Sequence, residues 1–407
     1  MIRVWTDNQL AGVLDRLKQK GSTFAYDPKA TAHRAASLTM PVRTASWNQD
    51  YGILPIFEMN LPEGILKEQL RNAFAKALGT FDDFDILAIV GRSQIGRIRY
   101  TAIDAELDET VPFQSIDEIL AWRREGTLFQ DLIDRFAKFS GISGVQPKVL
   151  IRDEANSVAG NKMTDAPTVL GATHIVKFWN EPLDQLAANE NFCMRAAQLC
   201  GLEVPRFRLS ENADVLVVDR FDLCPDGTYN GLEDFCVLNG VGTGQKYNGG
   251  YETKIFGRLK QYLPLDHWPE EAEKLFRLFV INCAIRNGDA HLKNFAVIYD
   301  DVTAAPKLAP VYDLVTTVAY NQKDQMALTL DASPHWPTRK KLEKLGAMRC
   351  GLSNKKMKEI FESTQAGISS ALEEMHAYAN DHPAFTSVAE RMSNAWTDGM
   401  ASLKESQ

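Results

Sequence analysis

The chain has 407 residues, 45% of them hydrophobic, enough to bury two or more cores. A net charge of −8 argues against a protein that coats nucleic acid through its overall field, and leaves room for a local basic patch or a DNA-binding partner. No apolar run approaches the roughly 18 residues of a membrane-spanning helix, and Met1-Ile2-Arg3-Val4-Trp5-Thr6-Asp7 lacks the apolar core of a signal peptide, so a cytoplasmic location is expected. The six cysteines (Cys193, Cys200, Cys224, Cys236, Cys283, Cys350) form no CxxC pair, which favours reduced thiols over a zinc site or a disulfide framework.

Residues 1–130 read as a mixed α/β domain. Ile2-Arg3-Val4-Trp5 suggests a strand, Pro62-Glu63-Gly64 opens a helix with acid in its first turn, and Ile95 to Tyr100 alternates like an exposed strand. Residues 139–151 then pass from a Ser/Gly loop, Ser140-Gly141-Ile142-Ser143-Gly144, into a strand beginning near Lys148. Glycines there let backbone N–H groups approach phosphate oxygens, although the spacing is not that of a P-loop and an ordinary hairpin turn fits equally well.

Thr173 to Phe178 is β-branched and strand-like, and a period of two puts Ile175 and Lys177 on one face. From Leu183 to Cys200 the apolar positions Leu183, Leu186, Ala187, Cys193, Met194 and Ala197 form a helical stripe with Glu190 at its centre. A core-facing carboxylate needs a cation beside it or must take up a proton, and Lys177 is the nearest candidate in the sequence. Asp214 to Asp222 is an apolar strand that becomes polar abruptly over Asp219 to Asp222, which suits a hinge between two lobes where backbone groups meet an adenine edge. The glycine-rich run Asn239 to Gly250 lacks the flanking strand and helix of a dinucleotide fingerprint and reads as a flexible loop.

An apolar helix over Glu271 to Asn287 is expected to end at Gly288 and to deliver Asp289-Ala290-His291-Leu292-Lys293-Asn294 to a loop. A strand (Phe295 to Tyr299) and a turn lead on to Asp313, and beyond residue 330 the chain reads as helical again, as at Lys355 to Phe361 and Ile368 to Tyr378, with charged outer faces. An aspartate, an asparagine five residues on and a later aspartate stand in the order in which kinases place base and magnesium ligands. The Ser/Gly loop, strand lysine and helix glutamate precede them in the order of a kinase's smaller lobe.

Together these segments resemble the HipA toxin kinases of bacterial toxin–antitoxin systems, most specifically at Asp289-Ala290-His291-Leu292-Lys293-Asn294-Phe295 and Leu308-Ala309-Pro310-Val311-Tyr312-Asp313. Ser143 to Lys148, Thr173 to Lys177, Asn189-Glu190 and Val218 to Asp222 also match, with weaker similarity at Asn60 to Glu63 and Phe84 to Arg92. The resemblance implies an α+β, bilobal protein-kinase-like fold: an N-terminal domain over 1–130, an N-lobe over 131–222 and a mainly helical C-lobe over 223–407. It implies ATP and Mg2+ as cofactors, Asp289 and Lys293 as catalytic residues, and Asn294 and Asp313 as metal ligands.

Lys177, Glu190, Asp219, Phe221, Gly144, Lys148 and His291 would form the nucleotide side, with His291 bracing the loop rather than moving protons. Family members modify a serine in their own Ser/Gly loop; Ser143 is the candidate here and Ser140 the reserve, while Gly141 stands where some members carry that serine and Pro147 removes a backbone donor. The implied partners are a small helix-turn-helix antitoxin (HipB-like), operator DNA through that antitoxin, and an aminoacyl-tRNA synthetase as substrate. A catalytically quiet corepressor and a small-molecule phosphotransferase are the competing readings.

Overall fold

The computed structural model describes residues 1–407 except 19, 79–80, 123–127, 154–168, 180–182 and 405–407. The chain divides into two units, each assembled from separate stretches. One comprises Met1–Phe178, Phe207–Thr243 and Ile298–Pro306; the other comprises Trp179–Arg206, Gly244–Val297 and Lys307–Gln407.

Among the described residues, two antiparallel sheets lie wholly within the first unit. Strands β1 (Ile2–Thr6), β2 (Gln9–Arg16), β3 (Ser22–Tyr26), β4 (Trp47–Gln49) and β5 (Ile98–Ala102) lie in the order β4-β3-β2-β1-β5. Alternation in β1 buries Ile2, Val4 and Thr6 on one face. Gly12 in β2 allows close packing: a Cβ there would stand 2.3 Å from the Ala25 carbonyl oxygen and 2.7 Å from the Phe24 ring. Phe24 then packs edge-on against Phe57, and Phe57 against Tyr100.

The expectation of an exposed strand over residues 95–100 is corrected, because β5 starts at Ile98 and is buried on both faces through Thr101. Its polar side chains are satisfied internally. Arg99 pairs with Glu109 at 2.5 Å and donates to the carbonyls of Gly96 and Ile98.

The second sheet contains β6 (Lys148–Ile151), β7 (His174–Phe178), β8 (Phe207–Leu209) and β9 (Val215–Asp219), ordered β6-β7-β9-β8. The Ser/Gly loop enters β6 as the sequence suggests. Every residue of β7 is buried, so Lys177 is an interior lysine rather than a solvated edge residue. Arg220, Asp222 and the 94–96 turn form a buried polar knot just beyond β9: Arg220 grips Asp222 through Nε and Nη2, Nη2 also donates to the Gln94 carbonyl, and Gly96 N–H donates to Asp222.

The second unit is mainly helical. Its central helix, Trp268–Ala284, buries Leu275, Phe276, Leu278, Phe279, Val280 and Ile281. The helices Asn354–Asp381 and Pro383–Ser402 belong to the same unit, in keeping with the helical reading of the chain beyond residue 330. Gly399 lets the last helix touch the end of the central one, since a Cβ there would lie 1.9 Å from the Ala284 carbonyl oxygen.

The helix carrying Glu190 runs from Leu186 to Leu199 and opens after Gln185 in a left-handed conformation. Glu190 is fully buried, as its place on the stripe requires, whereas Leu183 precedes the helix and is exposed, so it leaves that stripe.

Candidate active site

The second unit gathers Asp289, His291, Lys293, Asn294, Asp313 and Glu190; the first contains Ser140, Ser143, Gly144, Lys148, Lys177, Asp219 and Phe221. Lys177 and Glu190 therefore belong to different units.

In the second unit the central helix stops at Ala284, and the left-handed residue that turns the chain is Arg286 (φ 57°), not Gly288. Glycine is required at 288 for space: a Cβ there would be 2.1 Å from Asp324 Oδ2 and 2.5 Å from the Gln325 carbonyl oxygen. Gly288 N–H donates to Thr317 Oγ1 at 2.7 Å, and Asn287 Oδ1 accepts from the Asp289 N–H at 3.1 Å. Gly288→Ala must push the loop away from the 324–325 backbone. Because displacement of a reacting group by about 1 Å costs about a hundredfold, we expect that loss in catalysis with a largely retained melting temperature; unchanged turnover would show that the loop has slack.

The five-residue spacing from Asp289 to Asn294 is closed by a hydrogen bond, Asn294 Nδ2 donating to the Asp289 carbonyl at 2.9 Å. That carbonyl also accepts from the His291 N–H at 2.7 Å, and Tyr251 Oη donates to the Ala290 carbonyl at 2.9 Å. Tyr312, next to Asp313, donates to the Lys293 carbonyl at 2.8 Å. Asp313 itself is left-handed (φ 60°), a conformation costly for most residues but tolerated by aspartate.

Three residues on, Thr316 exchanges backbone bonds with the Asn189 side chain: its N–H donates to Oδ1 at 2.8 Å and its carbonyl accepts from Nδ2 at 3.1 Å. Trp396 Nε1 donates to Thr316 Oγ1 at 2.6 Å. The helix that bears Glu190 is thereby fastened to the segment that bears Asp313.

Asp289 accepts a 2.7 Å hydrogen bond from Tyr247 Oη. Loss of hydration, reinforced by the negative charges of Asp313 and Asp324, outweighs that bond and the Lys246 charge and pushes the carboxyl up to about 6. A base with that value is poised near neutral pH. His291 moves the other way. Burial and the neighbouring Lys246 and Lys293 charges push it down to about 4, so it is a neutral imidazole, packed edge-on against Tyr247, and its Nδ1 has no hydrogen-bond partner among the described residues.

For Asp289 the folded state holds its proton more tightly than the unfolded chain does, so this group favours the fold most below about pH 4, and that contribution is lost as pH rises through about 6. Asp289→Asn, which cannot ionise, is therefore expected to melt above the wild type near pH 8 without magnesium. The two should converge towards about pH 4. Parallel melting curves across that range would show that the carboxyl is not shifted.

In the first unit Lys148 and Lys177 face each other across β6 and β7, each 4% exposed, which brings two cationic side chains to one face. Lys148 folds back over the loop, its Nζ lying 2.5 Å from where a Cβ of Gly144 would be, and Gly144 has φ 119°. Ser143 Oγ and Gly144 N–H both donate to Glu63 Oε1, at 3.2 and 3.0 Å. Ser140 is enclosed: its hydroxyl donates to the Phe136 carbonyl and accepts from the Leu150 N–H, both at 2.8 Å. Ser143 is thus the more accessible of the two serines. Asp219 pairs with His174 across β9 and β7, its carboxylate 3.3 Å from the imidazole Nε2.

The sequence reading missed the segment around Lys246 and Tyr247. The run from Asn239 is tied to the loop that bears Asp289, with Leu292 N–H donating to the Lys246 carbonyl at 3.1 Å, and to Thr329, whose N–H donates to the Gly249 carbonyl at 3.1 Å. This corrects its description as a flexible loop. No local periodicity encodes a contact between residues 42 positions apart.

Among the described residues no group of three or more His, Cys, Asp or Glu side chains forms a metal cluster. The chemistry nevertheless suits one hard cation shared with a ligand. Asn294 uses its amide N–H on the loop and retains its carbonyl oxygen, and Asp313 and Asp324 together place excess negative charge around Asp289. No helix among the described residues is long and apolar enough to cross a membrane.

The folded chain is an α+β protein of kinase-like architecture. It aligns over 99% of its length with a HipA structure from Shewanella oneidensis, solved as a complex with HipB and operator DNA, at a TM-score of 0.68, 19% identity and 97% coverage of that chain. The family model for the HipA N-terminal domain matches residues 2–101 and that for the HipA-like C-terminal domain matches residues 140–372. The chain belongs to the HipA family.

Among curated relatives, Y4mE of Sinorhizobium fredii is 30% identical over 345 residues, covering 79% of this chain and 78% of its own. Y4dM of the same organism is 27% identical over 287 residues, covering 67% of this chain and 64% of its own, so the chain spans less than two thirds of that relative. Both are designated kinases by name only.

Proposed function

We propose that the protein is an ATP- and magnesium-dependent serine/threonine kinase and the toxin of a type II toxin–antitoxin module. The observation that carries this reading is the loop in which Asn294 closes on the Asp289 carbonyl while the Asp289 carboxyl accepts a hydrogen bond from a hydroxyl, that of Tyr247. An acceptor hydroxyl would give its proton to the Asp289 carboxylate as its oxygen bonds to the γ-phosphorus, and the bond from that phosphorus to the β,γ-bridging oxygen would break to release ADP. Lys293 would offset charge developing on the transferred group. Asn294 and Asp313 would hold magnesium, which supplies charge neutralisation at the phosphates.

Lys177, Lys148 and the backbone at Gly144 would bind phosphate oxygens, Glu190 would position Lys177, and Asp219 and Phe221 would meet the adenine. Family membership supports a HipB-like helix-turn-helix antitoxin as partner and operator DNA bound through it. An aminoacyl-tRNA synthetase is the proposed substrate, with inhibited translation, growth arrest and persistence as the consequence, and Ser143 is the proposed site of self-modification.

The test is to incubate the purified protein with magnesium and labelled ATP, with and without cell extract, and to map labelled residues by mass spectrometry. Label on serine or threonine that disappears in Asp289→Ala is expected. Transfer that is absent, or unchanged in that variant, would sink the kinase reading, and label confined to a small metabolite would replace it with a phosphotransferase. Self-labelling that survives Ser143→Ala would reassign the modified serine.

A further inference from the structure

We propose that Tyr247 is an acceptor gate, its phenol holding the place on Asp289 that an incoming hydroxyl must take. The inference rests on the reading of Asp289 as the base. Tyr247 Oη donates to Asp289 Oδ1 at 2.7 Å, the same O–H to carboxylate bond that an acceptor hydroxyl makes before it transfers its proton.

The phenol is delivered there by its backbone. Leu292 N–H bonds the Lys246 carbonyl, which ties the residue before Tyr247 to the catalytic loop, while Asn248 N–H closes a turn on the Gln245 carbonyl and Thr329 N–H holds that of Gly249. The ring rests edge-on against the neutral imidazole of His291, with centroids 4.9 Å apart.

Tyr251, four residues later, shows what a structural tyrosine looks like in this unit. It is 1% exposed and bonds the Ala290 carbonyl, so moving it would open the core. Tyr247 is 50% exposed. Its ring gives up far less buried surface than that of Tyr251 would when it rotates about its side-chain torsions, while its hydroxyl covers a carboxylate oxygen as long as it stays. An acceptor segment with enough binding energy of its own displaces the phenol and presents a serine or threonine hydroxyl. Water and weakly held hydroxyls do not, so the gate suppresses idle hydrolysis of ATP.

The experiment measures ADP release from magnesium–ATP, with water as the acceptor, in the wild type, Tyr247→Phe, Tyr247→Ala, Asp289→Ala and the Asp289→Ala/Tyr247→Ala double variant. Tyr247→Phe keeps the ring on His291 and removes only the donor. A rise of about tenfold is expected, in line with one hydrogen bond to a charged group, with a larger rise in Tyr247→Ala and none in either variant lacking Asp289. Tyr247→Phe turning over at or below an Asp289-dependent wild-type rate would overturn the gate and make the phenol a positioning residue for the base. Absence of Asp289-dependent ADP release from every variant, Tyr247→Ala included, would overturn the gate, whereas loss of labelled transfer to serine or threonine, measured separately, is what would overturn the kinase reading.

Discussion

Asp289→Ala is expected to lower phosphoryl transfer by about 10²- to 10⁴-fold, the usual worth of a positioned general base. Its loop should survive the change. The contacts that shape that loop are made by the residue's own carbonyl, to Asn294 and His291, and by its N–H, to Asn287, and alanine retains both backbone groups. The side chain contributes one bond, accepted from Tyr247, and carries a charge that its surroundings disfavour. Turnover should therefore collapse while the melting temperature at neutral pH stays level or rises. Pre-steady-state transfer to a mapped serine, read beside a melting curve, separates this outcome from unfolding. A variant that transfers phosphate at the wild-type rate would move the base elsewhere.

The largest effect on stability is expected at Arg220. Its guanidinium is fully buried with the Asp222 carboxylate, to which it makes contacts of 3.0 and 2.5 Å. It also lies 4.2 Å from the centre of the Tyr229 ring, while Arg99 lies 4.5 Å from the same ring. Arg220→Met leaves Asp222 buried beside the Gly96 N–H with its cation removed, a loss of about 3–5 kcal/mol. Asp222→Leu added to it should recover part of that loss, because the unpaired charge is gone. Urea unfolding followed by a probe in the first unit measures both; equal instability of the single and double variants would show that packing rather than charge holds the knot.

The knot also shows what was illegible in the sequence. Arg220 and Asp222 are two residues apart and stood out as the polar end of a strand, but their partners at Gln94 and Gly96 lie about 126 positions earlier. Strand β5 departs from its local pattern for the same reason. Its alternating pattern suggested a solvated face, yet Arg99 is interior because Glu109 and two carbonyls satisfy it. By contrast Glu190 was correctly placed in the core, since the helical stripe around it is a local property.

In the candidate site the same division holds. The Asp289 to Asn294 spacing, the helix that delivers it and the strand β7 that contains Lys177 are each encoded by short runs, where periodicity and spacing suffice, and Asp313 follows in order 24 positions after Asp289. Tertiary structure decided how that string becomes a site: Gly288 against the 324–325 backbone, Asn189 bonded to Thr316, and the phenol of Tyr247 on the carboxylate of Asp289. Local patterns record the side of an element that faces a core. They do not record the distant backbone or hydroxyl that meets it there, and in this protein such distant groups hold the loop from Asp289 to Asn294 in place, while burial and the charges of Asp313 and Asp324 raise the pKa of its aspartate.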